Sequence, residues 1–123
     1  MSRSGKISPT HVPLPSQGTC ASPLLYVRLK DFLYEEYGAR LRGVVLYGSE
    51  ARGEATPTSD IDVLVLLYGP VRFGEELRRV IHALYPVQLE IDRPLHAVPL
   101  AYDVYEAGRY AWCRRAKHEG RWV

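Results

Sequence analysis

The sequence predicts a single mixed α+β domain. Three observations carry that prediction: a segment of helical period at 23–37, two short apolar runs at 42–47 and 61–68 bounded by glycines and polar turns, and a second helical pattern beginning at Glu75. The 123 residues suffice for one domain and hardly for two. A hydrophobic share of 46% allows a packed core without staples. The net charge of +2 argues against a general nucleic-acid coat protein.

Residues 1–22 are rich in Ser, Pro, Gly and Thr and read as a flexible lead-in. Ser22-Pro23 is a good N-cap and first-turn pair. Leu25, Leu29, Phe32 and Leu33 follow at helical spacing, and Gly38 is a natural stop, so 23–37 is expected to be an amphipathic helix. Arg42 to Tyr47 is β-branched and apolar and reads as a buried strand. Gly48-Ser49 makes a turn, with a short helix expected from Ser49, and 55–59 forms a loop. Ile61 to Tyr68 is the longest apolar run and should be a central strand.

Glu75 to Tyr85 reads as a helix with Leu77, Val80, Ile81 and Leu84 on one face. The next piece has two readings. Val87, Leu89 and Ile91 alternate with polar residues at strand period; Leu77, Val80, Leu84, Val87 and Ile91 also fit a helix kinked at Pro86. Leu95 to Ala101 should be extended, and Pro99 places it near a sheet edge. Tyr102 to Glu119 reads as a last helix interrupted at Gly108, followed by an extended Arg121-Trp122-Val123. Tyr102, Tyr105 and Tyr110 should mostly pack that helix against the sheet.

The two cysteines, Cys20 and Cys113, are too few for a disulfide framework, and Cys113 reads as a buried thiol. No apolar run approaches the ~20 residues that span a membrane, and no apolar segment follows Met1 to Lys6. A reduced, cytoplasmic protein is expected.

The chemistry concentrates between the two strands. Asp60 and Asp62, two residues apart at the start of a strand, would project to one side about 6.5–7 Å apart, where both can converge on hard divalent cations. Two like charges that close need a cation or a proton. Ile61 and Val63 would face the other way, into the helix layer. Gly48 permits close backbone approach to a ligand, and a helix opening at Ser49 would offer N–H groups to a phosphate. Arg52 either reaches the same phosphates or pairs with Glu50 or Glu54.

Gly48-Ser49-x-Ala51-Arg52-Gly53 followed by Ser59-Asp60-Ile61-Asp62-Val63-Leu64-Val65 resembles the signature of the polymerase-beta-like nucleotidyltransferases, and among them the minimal, antitoxin-type group. The resemblance extends over roughly residues 23–101. It implies a small mixed β-sheet with helices packed mainly on one face, Mg²⁺ as cofactor and a nucleoside triphosphate, most simply ATP, as substrate. The implied reaction transfers a nucleoside monophosphate to a hydroxyl. It implies nucleotide-binding roles for Gly48, Ser49, Arg52 and Ser59, and metal-binding and catalytic roles for Asp60 and Asp62. A third carboxylate normally comes from a later strand. Leu89-Glu90-Ile91 supplies Glu90 as the first candidate; Leu95-His96-Ala97 is the rival position, with histidine for the acid, and a third reading has no such group. A helical 75–91 would remove Glu90 from contention.

Two functions follow. One is an active transferase that modifies a protein or small-molecule hydroxyl. The other is a weak or inactive module that binds a helical, toxin-like partner protein. A homo-oligomer is the other expected assembly; nucleic-acid and membrane partners are not expected.

Overall fold

The computed structural model describes residues 23–123; the expected flexible segment 1–22 and Cys20 lie outside the described residues. Helix α1 spans Pro23–Tyr37 and buries Leu25, Leu29 and Leu33, as their spacing requires. A 3₁₀ turn at Gly38–Arg40 leads into strand β1, Leu41–Tyr47. The one-turn helix α2 takes Gly48–Arg52, starting one residue earlier than expected. Strand β2 is Ile61–Leu67.

Helix α3 runs from Phe73 to Gln88 with Pro86 inside it. The strand reading of 87–91 is therefore wrong. Val80, Leu84 and Val87 are buried at steps of four and three, so packing follows the helical period. Ile81, expected on the buried face, is instead 57% exposed. Gln88 then staples the end of the helix to the next strand: its Nε2 donates to the Arg93 carbonyl (3.0 Å) and its Oε1 accepts from Leu95 N (2.8 Å). Strand β3 is Leu95–Ala101, helices α4 and α5 are Tyr102–Ala107 and Ala111–Glu119, and β4 is Arg121–Trp122. The break falls at Gly108, as expected.

The four strands form one mixed sheet in the order β3-β2-β1-β4. β1 is antiparallel to β2 and β4, and β2 is parallel to β3. The apolar β2 is central and the proline-bearing β3 is an edge. One face carries the main core, where Val44, Leu46, Ile61, Val63 and Val65 meet α1 and α3. On the other face Val45, Leu64 and Leu66 meet Tyr105 and Ala116 of the short helices α4 and α5. Cys113 is fully buried there, and burial pushes its thiol above the ordinary range. Tyr105 is buried as expected, whereas Tyr110 is 53% exposed. Among the described residues no helix is long and apolar enough to cross a membrane.

Candidate active site

The antiparallel pairing of β1 and β2 sets Tyr47 opposite Asp62, so the turn that ends β1 lies over the residues that begin β2. Strand alternation sends Ile61 and Val63 into the α1–α3 core and Asp62 to the opposite face. Asp60 stands just before the strand. The parallel neighbour β3 places His96 in register with Asp62. His96 Nδ1 lies 3.3 Å from Asp60 Oδ2 and 3.7 Å from Asp62 Oδ1. All three side chains reach solvent, being 43% (Asp60), 25% (Asp62) and 56% (His96) exposed. Burial pushes the Asp62 carboxyl above the ordinary carboxylate range; His96 draws it back, Asp60 adds to the rise and Arg52 opposes it.

Gly48 is fitted to this arrangement twice over. Its φ of +71° lies in the left-handed region, and a Cβ there would stand 2.6 Å from Asp62 Oδ2. The missing side chain is what lets the turn and the carboxylate share the space. Because α2 is a single turn, the expected helix-dipole contribution is small, and the turn's own N–H groups are what it can offer a phosphate.

Glu50 is a feature the sequence reading missed. It follows the Gly-Ser pair, yet it is 1% exposed. Its carboxylate forms an ion pair with Arg93 at 2.5 Å and accepts from Tyr26 Oη of α1 at 2.9 Å. Arg93 Nε in turn donates to the Ser59 carbonyl at 2.7 Å. Burial first, then the Glu50 carboxylate, pushes the Tyr26 phenol well above its ordinary value, so it stays a proton donor. These contacts tie the Gly-Ser turn, the residue before Asp60 and the approach to β3 into one block. A second buried acid, Glu76, binds Tyr37 (3.0 Å) and Arg40 (2.9 Å) in the same manner. For Glu76 the signal was an acid in step with the buried Val80, Leu84 and Val87; for Glu50 no local pattern gave one.

The remaining expected site residues divide. Arg52 pairs with Glu54 at 2.8 Å and Glu119 at 3.7 Å rather than with Glu50. Ser59 Oγ accepts from Thr56 N (2.9 Å) and closes the 56–59 loop. Glu90 is not brought to the aspartates: it sits in the turn after α3 and pairs with Arg28 of α1. The helix that consumes residues 73–88 leaves it no strand to sit on, and the residue across from Asp62 is His96. Among the described residues no group of three or more His, Cys, Asp or Glu side chains is placed to hold a metal ion.

The profile of the nucleotidyltransferase domain matches residues 27–104. The chain belongs to that family. The matched span takes in the Gly48-Ser49 turn, both aspartates and β3. Among solved structures, this nucleotidyltransferase domain is similar to a crystal structure of a toxin–antitoxin with AMP-PNP, at 19% identity and a TM-score of 0.52, over 77% of this chain and 69% of that one. It is also similar to a putative nucleotidyltransferase from Sulfolobus solfataricus, at 20% identity and a TM-score of 0.46, over 80% of this chain and 79% of that one. At the identity of the first, the likeness is one of fold. No curated protein matches the chain.

Proposed function

We propose that this nucleotidyltransferase domain binds ATP with a divalent cation, Mg²⁺ in the first instance, and transfers AMP to a hydroxyl of a protein or small molecule. The single observation that carries the reading is the placement of Asp60 and Asp62 under the Gly48-Ser49 turn, with Gly48 shaped to the Asp62 carboxylate. The donor set fits a hard cation: carboxylate oxygens open to solvent at the start of β2. When bound, the cation would neutralise the triphosphate and stabilise the attacking and leaving oxygens.

The chain's own residues have separate tasks in this reading. Asp60 and Asp62 hold the cation. The N–H groups of Gly48 and Ser49 orient the phosphates, with Arg52 within electrostatic range of the same place. Glu50 and Arg93 keep the turn and the aspartates in fixed relation, so the geometry is set before substrate arrives. The acceptor hydroxyl still needs a base, and Glu90, held by Arg28, is not at hand.

That last point favours a second reading. A domain with a histidine in register with Asp62, and no third carboxylate there, would bind nucleotide and transfer poorly, serving instead to bind a helical partner. The toxin–antitoxin neighbour is consistent with such a partner. Calorimetry of ATP with divalent cation on the wild type and on Asp60→Asn/Asp62→Asn tests the site. Binding lost in the double variant is expected; equal binding in both proteins would refute it. Transfer of radiolabelled AMP to a candidate partner separates the two readings, and its absence from a protein that binds ATP selects the second.

A further inference from the structure

We infer that the outer face of α3 is a docking surface for a helix of another protein, one whose apolar ridge is bordered by acidic residues. The surface lies on the side of the sheet away from Asp62, so the inference goes beyond the active-site reading. It gives the helical partner of the second reading a place and a chemistry. α3 carries two apolar rows. Val80, Leu84 and Val87 form the inner one, buried against the sheet and α1. Leu77, Ile81, Tyr85 and Leu89 recur at every fourth residue on an outer row. Leu77 is half-buried, and Ile81, Tyr85 and Leu89 are each more than half exposed. The domain's own core takes only the inner row, which leaves Ile81 outside it. Single exposed apolar residues are ordinary; a continuous row marks an interaction surface. A row at four-residue spacing is also the ridge that interdigitates in the commonest helix–helix packing.

The hollow beside the ridge has the form of such a contact. Arg78, Ile81, His82 and Tyr85 line a depression of about 600 Å³, with room for a large apolar side chain. Those positions are i, i+3, i+4 and i+7, the four residues that form the hole for a knob of a facing helix. Past Ile81 and Tyr85 the surface continues into a smaller cleft against Leu95 and Ala97 of β3. An extended segment has less to gain there, because Gln88 already accepts from Leu95 N and Pro99 has no N–H to give. Charge then decides the partner. Arg72 pairs with Glu75 and Arg79 with Glu36, but neither Arg78 nor His82 has a carboxylate partner among the described residues. A second copy would bring the same ridge with the same two basic residues and set like beside like. A helix with Asp or Glu beside its apolar ridge answers both.

Fluorescence anisotropy on the full chain tests this. The probes are two fluorescein-labelled, hydrocarbon-stapled helical peptides with leucine at every fourth residue. One has glutamate bordering the leucines, and the other has lysine there. The proteins are the wild type, Ile81→Ser/Tyr85→Ser and Arg78→Glu/His82→Glu, with thermal melts to check that each folds. The wild type should bind the acidic peptide at least about tenfold more tightly than the basic one. The serine variant should lose that binding, and the charge reversal should invert the preference. Equal binding of the two peptides, binding of neither, or binding that the serine variant retains would overturn the inference. Sedimentation of the wild type alone checks for a second copy: a dimer that the serine variant dissolves would overturn the choice of partner. The ATP calorimetry described above reads the active site separately, so failure of either reading shows on its own.

Discussion

Alanine at Gly48 should leave the fold intact while moving the Asp62 carboxylate, and the size of both effects can be worked out beforehand. The residue sits at φ +71°, where an L side chain costs about 1–2 kcal/mol. Gly53 has the same φ of +71°, but a Cβ there meets nothing within 4 Å. Both substitutions should therefore cost about 1 kcal/mol or slightly more in urea denaturation, a shift of roughly 4–8 °C in melting temperature. Only Gly48→Ala also brings a Cβ to 2.6 Å from Asp62 Oδ2. The atom in the way is the free end of a side chain, so it yields; ordinary contact needs a retreat of roughly 0.8 Å, most of the ~1 Å at which misplacement costs about a hundredfold in rate. Affinity for Mg²⁺ with ATP should fall about tenfold or more in Gly48→Ala and remain at the wild-type level in Gly53→Ala. Calorimetry on the two variants side by side reads the difference. Equal affinities would refute the claim that Gly48 exists to make room for the metal carboxylate.

Arg93→Ala takes the guanidinium from a carboxylate that is wholly buried, and should cost about 3 kcal/mol in urea denaturation, whereas Glu50→Met/Arg93→Met, which removes both charges, should lose less; a single variant under about 1 kcal/mol would deny the clamp its role. Glu90→Gln breaks only the half-exposed pair with Arg28 and should change stability by less than about 1 kcal/mol and leave nucleotide binding untouched; loss of binding would restore Glu90 to the site. Asp62 carries a raised carboxyl, so between the unfolded and folded values the native state holds more protons than the unfolded chain, and stability falls as pH rises through that interval. In metal-free buffer Asp62→Asn should accordingly be more stable than the wild type at neutral pH and show no gain at the acid end, as thermal melts across pH 3–7 would reveal; an unchanged pH slope would contradict the shift.

Much of the fold could be read directly because its signals are local. The 23–37 helix, the two apolar strands, the centrality of β2, the edge position of Pro99 and the break at Gly108 each follow from a spacing or a residue whose backbone limits are fixed wherever it occurs. The same is true of Gly48, Ser49, Asp60 and Asp62, which lie within a single strand–turn–strand stretch and so meet whatever the rest of the chain does. Residues 87–91 satisfied two periods at once, and nothing local could choose between them. Burial of Val87 beside Val80 and Leu84, together with the Gln88 staple to β3, decided for the helix. That decision also fixed the neighbour of Asp62, since a strand beginning at Leu95 brings His96 and not Glu90 beside it. The Glu50–Arg93 pair joins residues 43 positions apart, and no pattern in the chain announces it. The sequence by itself determined the elements and the paired aspartates, because period and turn chemistry act over a few residues. Only the tertiary structure decided which side chains from distant elements lie beside the aspartates and the turn, because that choice depends on strand register and on which competing burial wins.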